Sequence, residues 1–191
     1  MDGVENVKIV VVGASAGGVE ALSTLFCDLP SNIETAFFVA LHVSSHGQSH
    51  PPTILARCGR LPAEHPCDGE KIRGGRIYVA PPGFHLMVGK GVVRLIHAPK
   101  ECHPRPAIDP LFCSAAQCYG QRVVGVLLTG MLRDGVAGLK EIKRHGGLAI
   151  VQDPAEARFP DLPRSALAAV EVDACLPVAQ IRALVTQLHT L

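Results

Sequence analysis

The sequence predicts an α/β fold: a doubly wound, mostly parallel sheet flanked by helices, with a short antiparallel hairpin. Three observations carry this expectation. Short apolar runs rich in β-branched residues recur along the chain, as suits strands covered on both faces. Each main run is followed by a loop of small or polar residues and then by a helical segment, the alternation that builds parallel sheets. One pair of apolar runs is separated only by Gly89-Lys90-Gly91, a hairpin signature.

The elements follow in order. Val7–Val12 is a nearly continuous β-branched run, and Gly13-Ala14-Ser15-Ala16-Gly17-Gly18 turns the chain into a helix over Val19–Cys27. Ala36–Val43 is a second strand, followed by a loop rich in Ser, His and Gly. Ser49–Cys58 reads as a helix with Pro51 and Pro52 in its first turn, where proline is tolerated because those N–H groups lack partners anyway. Arg76–Ala80 is a strand ended by Pro81-Pro82-Gly83, and Leu86–Val88 with Val92–Ile96 forms the hairpin. The stretch Pro99–Pro110 is a proline-rich loop, and Pro110–Tyr119 is helical. Val123–Leu128 is a buried strand ending at Thr129-Gly130, and Val136–His145 is a helix stopped by Gly146-Gly147, glycine being favoured just past a helix end. Leu148–Val151 is a strand, and Arg164–Val170 and Val178–Leu188 are helical. With no repeat and no linker, residues 1–191 read as a single domain, within the usual size of about 100–200 residues.

Composition narrows the function. A net charge of +1 supplies no electrostatic footprint for nucleic acid. No apolar run approaches the roughly 20 residues needed to cross a bilayer, so no membrane insertion is expected. The first residues lack the basic start and apolar stretch of a secretion signal. The seven cysteines are odd in number and none pair as C-x-x-C, so reduced thiols and a cytoplasmic location are the plain reading. His65, Cys67, Cys102 and His103 match no common metal-ligand spacing, and Cys27 and Cys113 are expected to pack in the core. Neither a metal nor a cofactor is expected.

Sites in open parallel sheets form beyond the carboxyl ends of the strands, which singles out three residues. Ser15 lies in Gly13-Ala14-Ser15-Ala16-Gly17 between a strand and a helix, the context of a nucleophile elbow; the competing role is a helix cap beside a phosphate-binding loop. G-x-G-x-x-G and the P-loop Gly-Lys-Ser/Thr are both absent, against a nucleotide site. His42 ends the second strand, placed to take a proton from a neighbouring serine, with His46 and His50 as rivals further on. Asp134 follows Val123–Leu128 and offers a carboxylate to orient a histidine. Asp153 and Asp109 are alternatives, and a turn or capping role is open to each.

Six segments occur in the order seen in the CheB-type protein-glutamate methylesterases: Val11–Gly18, Leu41-His42-Val43, Tyr78-Val79-Ala80-Pro81, Arg105-Pro106-Ala107-Ile108-Asp109, Leu128-Thr129-Gly130-Met131 with Asp134-Gly135, and Leu162–Ala166. The chain resembles that family from about Val7 to Val185. The resemblance implies Ser15, His42 and Asp134 as catalytic residues, with backbone N–H groups near Ala16 and at Met131 binding the oxyanion. It implies hydrolysis of glutamyl γ-methyl esters on methylated chemoreceptor-type proteins, releasing methanol, with glutamine deamidation as a further activity. The chain order Ser…His…Asp differs from that of α/β-hydrolases. Chemotaxis members usually carry an N-terminal receiver domain. Here the serine motif begins within the first 20 residues, so any phosphorylation control is expected from a separate receiver protein. The segment Val43–His50 departs from the family's Met-Pro-aromatic pattern, and Leu132-Arg133 replaces small or polar residues before Asp134. Two other classes compete with the esterase: a non-catalytic regulatory module of the same fold, and a nucleotide-binding protein.

Overall fold

The structure, a computed structural model, describes residues 7–42, 50–97 and 106–188. A seven-stranded sheet runs through its centre. Its strands are β1 (Ile9–Ala14), β2 (Ala36–Leu41), β3 (Ala63–Glu64), β4 (Arg76–Val79), β7 (Val123–Leu127), β8 (Leu148–Gln152) and β9 (Ala174–Leu176). They lie in the order β3-β4-β2-β1-β7-β8-β9, and every pairing is parallel. The hairpin is a separate antiparallel pair, β5 (His85–Val88) and β6 (Val93–Ile96). The expected fold class is the one observed.

Both faces of the sheet are covered, which is why its strands read as unbroken apolar runs. Val10, Val12 and Ala14 of β1 point into a core with α1 (Gly18–Phe26), α2 (Pro51–Cys58) and α6 (Val178–Leu188). Ile9 and Val11 point the other way, toward α3 (Ile108–Tyr119), α4 (Val136–Arg144), α5 (Asp161–Ala169) and the hairpin. Aromatic packing fills both layers: Phe26 meets Phe37 edge-on at 5.4 Å, and Phe38 stacks on Tyr78 at 4.9 Å. Each such buried ring contributes about 1.5–3 kcal/mol.

The strand order places the functional edge. After β1 the chain turns onto one face through α1; after β7 it turns onto the opposite face through α4. Adjacent strands whose connections diverge leave a crevice at their carboxyl ends. Ser15 follows β1 and Asp134 follows β7, so both border it.

Several boundaries differ from the sequence reading. β2 stops at Leu41, so His42 is the first residue beyond it, and Val43 lies outside the described residues. β3 and β9 were not anticipated; at two and three residues they are too short to show a period. α3 begins at Ile108, which moves Asp109 from the expected loop into a helical first turn. α5 begins at Asp161, three residues earlier than expected, because Pro163 falls in its first turn where no N–H is missed. Among the described residues no helix is long and apolar enough to cross a membrane.

Candidate active site

The site starts from the ends of β1 and β2. Their parallel register runs to Ala14↔Leu41, so Ser15 and His42 are the next residues on adjacent strands. The His42 N–H donates to the Ala14 carbonyl at 3.1 Å. On the other side, the Ser15 N–H donates to the Thr129 carbonyl at 3.0 Å, tying Ser15 to the segment after β7. Ser15 does not cap α1: the N-cap is Gly17, in the left-handed region at φ 73°, and no side chain caps the helix. Among the described residues the Ser15 hydroxyl makes no hydrogen bond, to the His42 ring or to any other group.

His42 meets Asp134 through an Nε2–Oδ2 contact of 2.7 Å, with side chains only 17% and 12% exposed. Asp134 also accepts the N–H of Ile108 on Oδ2 at 2.7 Å and the N–H of Asp109 on Oδ1 at 3.1 Å. These are first-turn amides of α3, which have no partner inside the helix and favour an anion. Burial pushes the Asp134 carboxyl up, but the His42 bond and the two amides outweigh it and hold the group below the usual carboxylate range. An ionised carboxylate only accepts. Nε2 therefore carries a proton toward Asp134, and in the neutral ring Nδ1 is the nitrogen with the lone pair.

Among the described residues the N–H groups of Ala16 and Met131 donate no backbone hydrogen bond. Each belongs to a peptide plane pinned from its opposite side. The Ser15 carbonyl accepts Gly18 N–H at 2.8 Å, and the Gly130 carbonyl accepts Leu162 N–H, a first-turn donor of α5, at 3.0 Å. In a trans peptide the N–H points away from its own carbonyl. Pinning the carbonyls therefore orients the Ala16 and Met131 donors. Next along the chain, Leu132 sits in the left-handed region at φ 68° and is exposed. Such backbone costs about 1–3 kcal/mol in a non-glycine residue. Arg133 is exposed and makes no ion pair with Asp134.

Thr129 and Gly130 were quoted in a motif but given no role by the sequence. Thr129 is fully buried; its Oγ1 donates to the Ala16 carbonyl at 3.1 Å and accepts Phe159 N–H at 2.9 Å. Its own N–H is held by the buried Gln152 side chain at 2.7 Å. A Cβ on Gly130 would lie 2.8 Å from Ser15 Cβ and 2.8 Å from Leu162 Cδ2, so only glycine lets the two strand ends approach. Leu162 opens the Leu-Pro-Arg-Ser-Ala segment, whose part in the site is the amide that pins Gly130.

The rivals stand elsewhere. His50 is an exposed residue at the N-cap of α2, and His46 lies outside the described residues. Asp153 Oδ1 accepts Ala155 N–H at 2.8 Å, an ordinary turn contact. Asp109 borders the site without touching His42, and its Oδ1 accepts Gly135 and Gly138 N–H. Cys102 and His103 lie outside the described residues, and among the rest no cluster suits a metal ion. Cys27 and Cys113 are half-buried rather than core residues; Cys27 falls just past α1, where the Arg182 guanidinium contacts its Sγ at 3.0 Å.

Comparison with characterised proteins follows the same lines. The CheB methylesterase family model matches residues 10–185. A "Protein-glutamate methylesterase/protein-glutamine glutaminase 2" of Anaeromyxobacter dehalogenans is 41% identical over 92% of this chain. A Leptospira interrogans protein named provisionally for the same two activities is 35% identical over 96%. The chain spans 51% of the first relative and 95% of the second. The crystal structure of the Thermotoga maritima CheB methylesterase catalytic domain superposes with a TM-score of 0.89 at 30% identity, covering 96% of this chain and 99% of that one. On the match over residues 10–185 and the relatives' identity and coverage, this chain belongs to the CheB methylesterase family.

Proposed function

We propose that this chain hydrolyses glutamyl γ-methyl esters on proteins to glutamate and methanol, with Ser15 as nucleophile, His42 as general base and Asp134 as the carboxylate that orients it. One observation carries the reading: a histidine locked to an ionised aspartate stands on the strand end adjacent to a serine in an elbow.

The steps follow from the chain's own groups. Nδ1 of His42 takes the Ser15 proton as Oγ attacks the ester carbonyl carbon. The oxyanion forms against the N–H groups of Ala16 and Met131, each such donor being worth on the order of 100–1000-fold in rate. The carbon–methoxy bond breaks, and His42 returns the proton to the leaving oxygen, giving methanol. Water then attacks the acyl carbon, His42 accepts its proton, and cleavage frees glutamate and restores Ser15. The same cycle on a glutamine amide releases ammonia, matching the second activity named for the relatives. The substrates that fit are methylated chemoreceptor-type proteins in the cytoplasm, and a separate receiver protein is a candidate regulator.

The test is methanol release from membranes carrying methylated receptors of the same cell, beside labelling by a fluorophosphonate probe. The expected result is release and labelling by the native chain and loss of both in Ser15→Ala. A folded native chain that neither labels nor releases methanol would leave a non-catalytic module as the reading.

A further inference from the structure

The proposed reaction does not account for Asp109. This residue is half-buried in the first turn of α3. Its Oδ1 accepts Gly135 N–H at 3.0 Å and Gly138 N–H at 2.6 Å, at the start of α4. Asp134, immediately before α4, does the converse: it accepts the N–H groups of Ile108 and Asp109 at the start of α3. Each carboxylate thus closes the other's helix. Gly138 makes the room, since a Cβ there would lie 3.2 Å from Asp109 Oδ1 and 2.5 Å from Phe112 Cβ.

Asparagine can fill such a place as well as aspartate does, so what these two contacts require of residue 109 is an acceptor oxygen at this reach. Burial, together with the charge of Asp134, pushes the Asp109 carboxyl up, against the pull of the Gly138 and Gly135 amides. Apart from His42, the hydrogen bonds to Asp134 among the described residues come from amides of α3, and the Asp109 carboxyl stands close enough to interact with it. Its position therefore depends on how α4 sits on α3, and beside their shared apolar packing Asp109 supplies a polar link between the two helix starts.

Resting on the hydrolase reading above, we propose that Asp109 is a positioning residue: by gripping the Gly135 and Gly138 amides it fixes Asp134 and, through it, the His42 ring.

The experiment follows the rate of Ser15 labelling by a fluorophosphonate probe against pH, on the full chain, with the number of reactive chains counted from the final extent of labelling. Asp109→Ala is expected to label to the native extent but on the order of 10–100-fold more slowly, a misplacement of about 1 Å being enough for the upper figure. The acid limb of its rate–pH curve is expected to move to lower pH, because a displaced Asp134 supports the protonated ring less well. A fold defect alone lowers the count of reactive chains and leaves the limb in place. Asp109→Asn keeps an acceptor oxygen and is expected to recover most of the rate. Native rates per reactive chain in Asp109→Ala, or an Asp109→Asn variant as slow as Asp109→Ala, overturn the proposal. Should Asp109→Ala fail to fold, Asp109→Glu, whose carboxylate is one methylene too long for the gap above Gly138, is read in the same way. A native chain that takes no probe at Ser15 overturns the hydrolase reading itself; a reactive native chain with indifferent variants overturns only the role of Asp109.

Discussion

At the scale of single residues, the site depends on hydrogen bonds that leave each group one available role. Asp134 can only accept, so the His42 proton faces it and Nδ1 is left basic. Asp134→Asn removes that constraint, since an amide can also donate and so support the wrong tautomer. Ester hydrolysis is expected to fall by roughly 10⁴-fold, far more than the accompanying loss of stability explains. Near-native turnover in that variant would remove Asp134 from the mechanism. Thr129→Val tests the elbow. Valine keeps the shape but loses the Oγ1 links to the Ala16 carbonyl and the Phe159 N–H. Leaving that part-buried N–H unpaired costs on the order of 1 kcal/mol, so denaturant unfolding should show a loss of that order, together with slower labelling of Ser15. A variant as stable and as reactive as the native chain would contradict the clamp. Ser15, His42 and Asp134 could be singled out in the sequence because each follows a strand in a segment with family character. The work of Thr129 was not legible, because its partners Ala16 and Phe159 are distant in the chain and a lone threonine carries no pattern.

At the scale of elements, helix starts do much of the placing. α3 holds Asp134, α5 pins the Gly130 carbonyl, and the hairpin steadies α3 through the Ala107 N–H donated to His85 Nδ1 at 3.2 Å and Val88 N–H donated to Ser114 Oγ at 3.0 Å. Gly130→Ala tests the contact between the elbow and α5. Its Cβ would need Ser15 and Leu162 to move apart, and overpacking of this kind costs about 1–3 kcal/mol. The expected outcome is a lower melting temperature and labelling slowed beyond what the unfolded fraction explains; unchanged labelling would show that the Met131 amide is not set by this packing. The central strands were readable from their β-branched runs. The true starts of α3 and α5 were not, because Pro110 and Pro163 sit inside first turns, where proline signals a start without marking the first residue.

At the scale of the whole molecule, two neighbouring carboxylates give stability opposite dependences on pH. Asp134 is held low in the folded state, so its contribution is present above about pH 3.9, the unfolded value, and is lost as pH falls through the depressed folded one. Asp109 is raised, so its contribution is present below about pH 3.9 and is lost as pH rises through the folded value. Asp109→Asn removes the second effect. Its melting temperature relative to the native chain is therefore expected to be more favourable at pH 7 than at pH 3.5. Calorimetry at the two values decides; a difference that does not change with pH would show that ionisation of Asp109 costs the fold nothing.

The sequence by itself determined the doubly wound architecture, since covered parallel strands must be apolar on both faces and that leaves unbroken β-branched runs such as Val10-Val11-Val12. It also marked the strand ends where polar residues collect. Only the tertiary structure put the Asp134 carboxylate against the His42 ring and the Asp109 carboxylate against the amides at the start of α4. Asp109 and Asp134 lie 25 residues apart in the chain, and each ends on the amides of the other's helix. A contact made by the crossing of two helices leaves no period, spacing or composition for a one-dimensional reading to find.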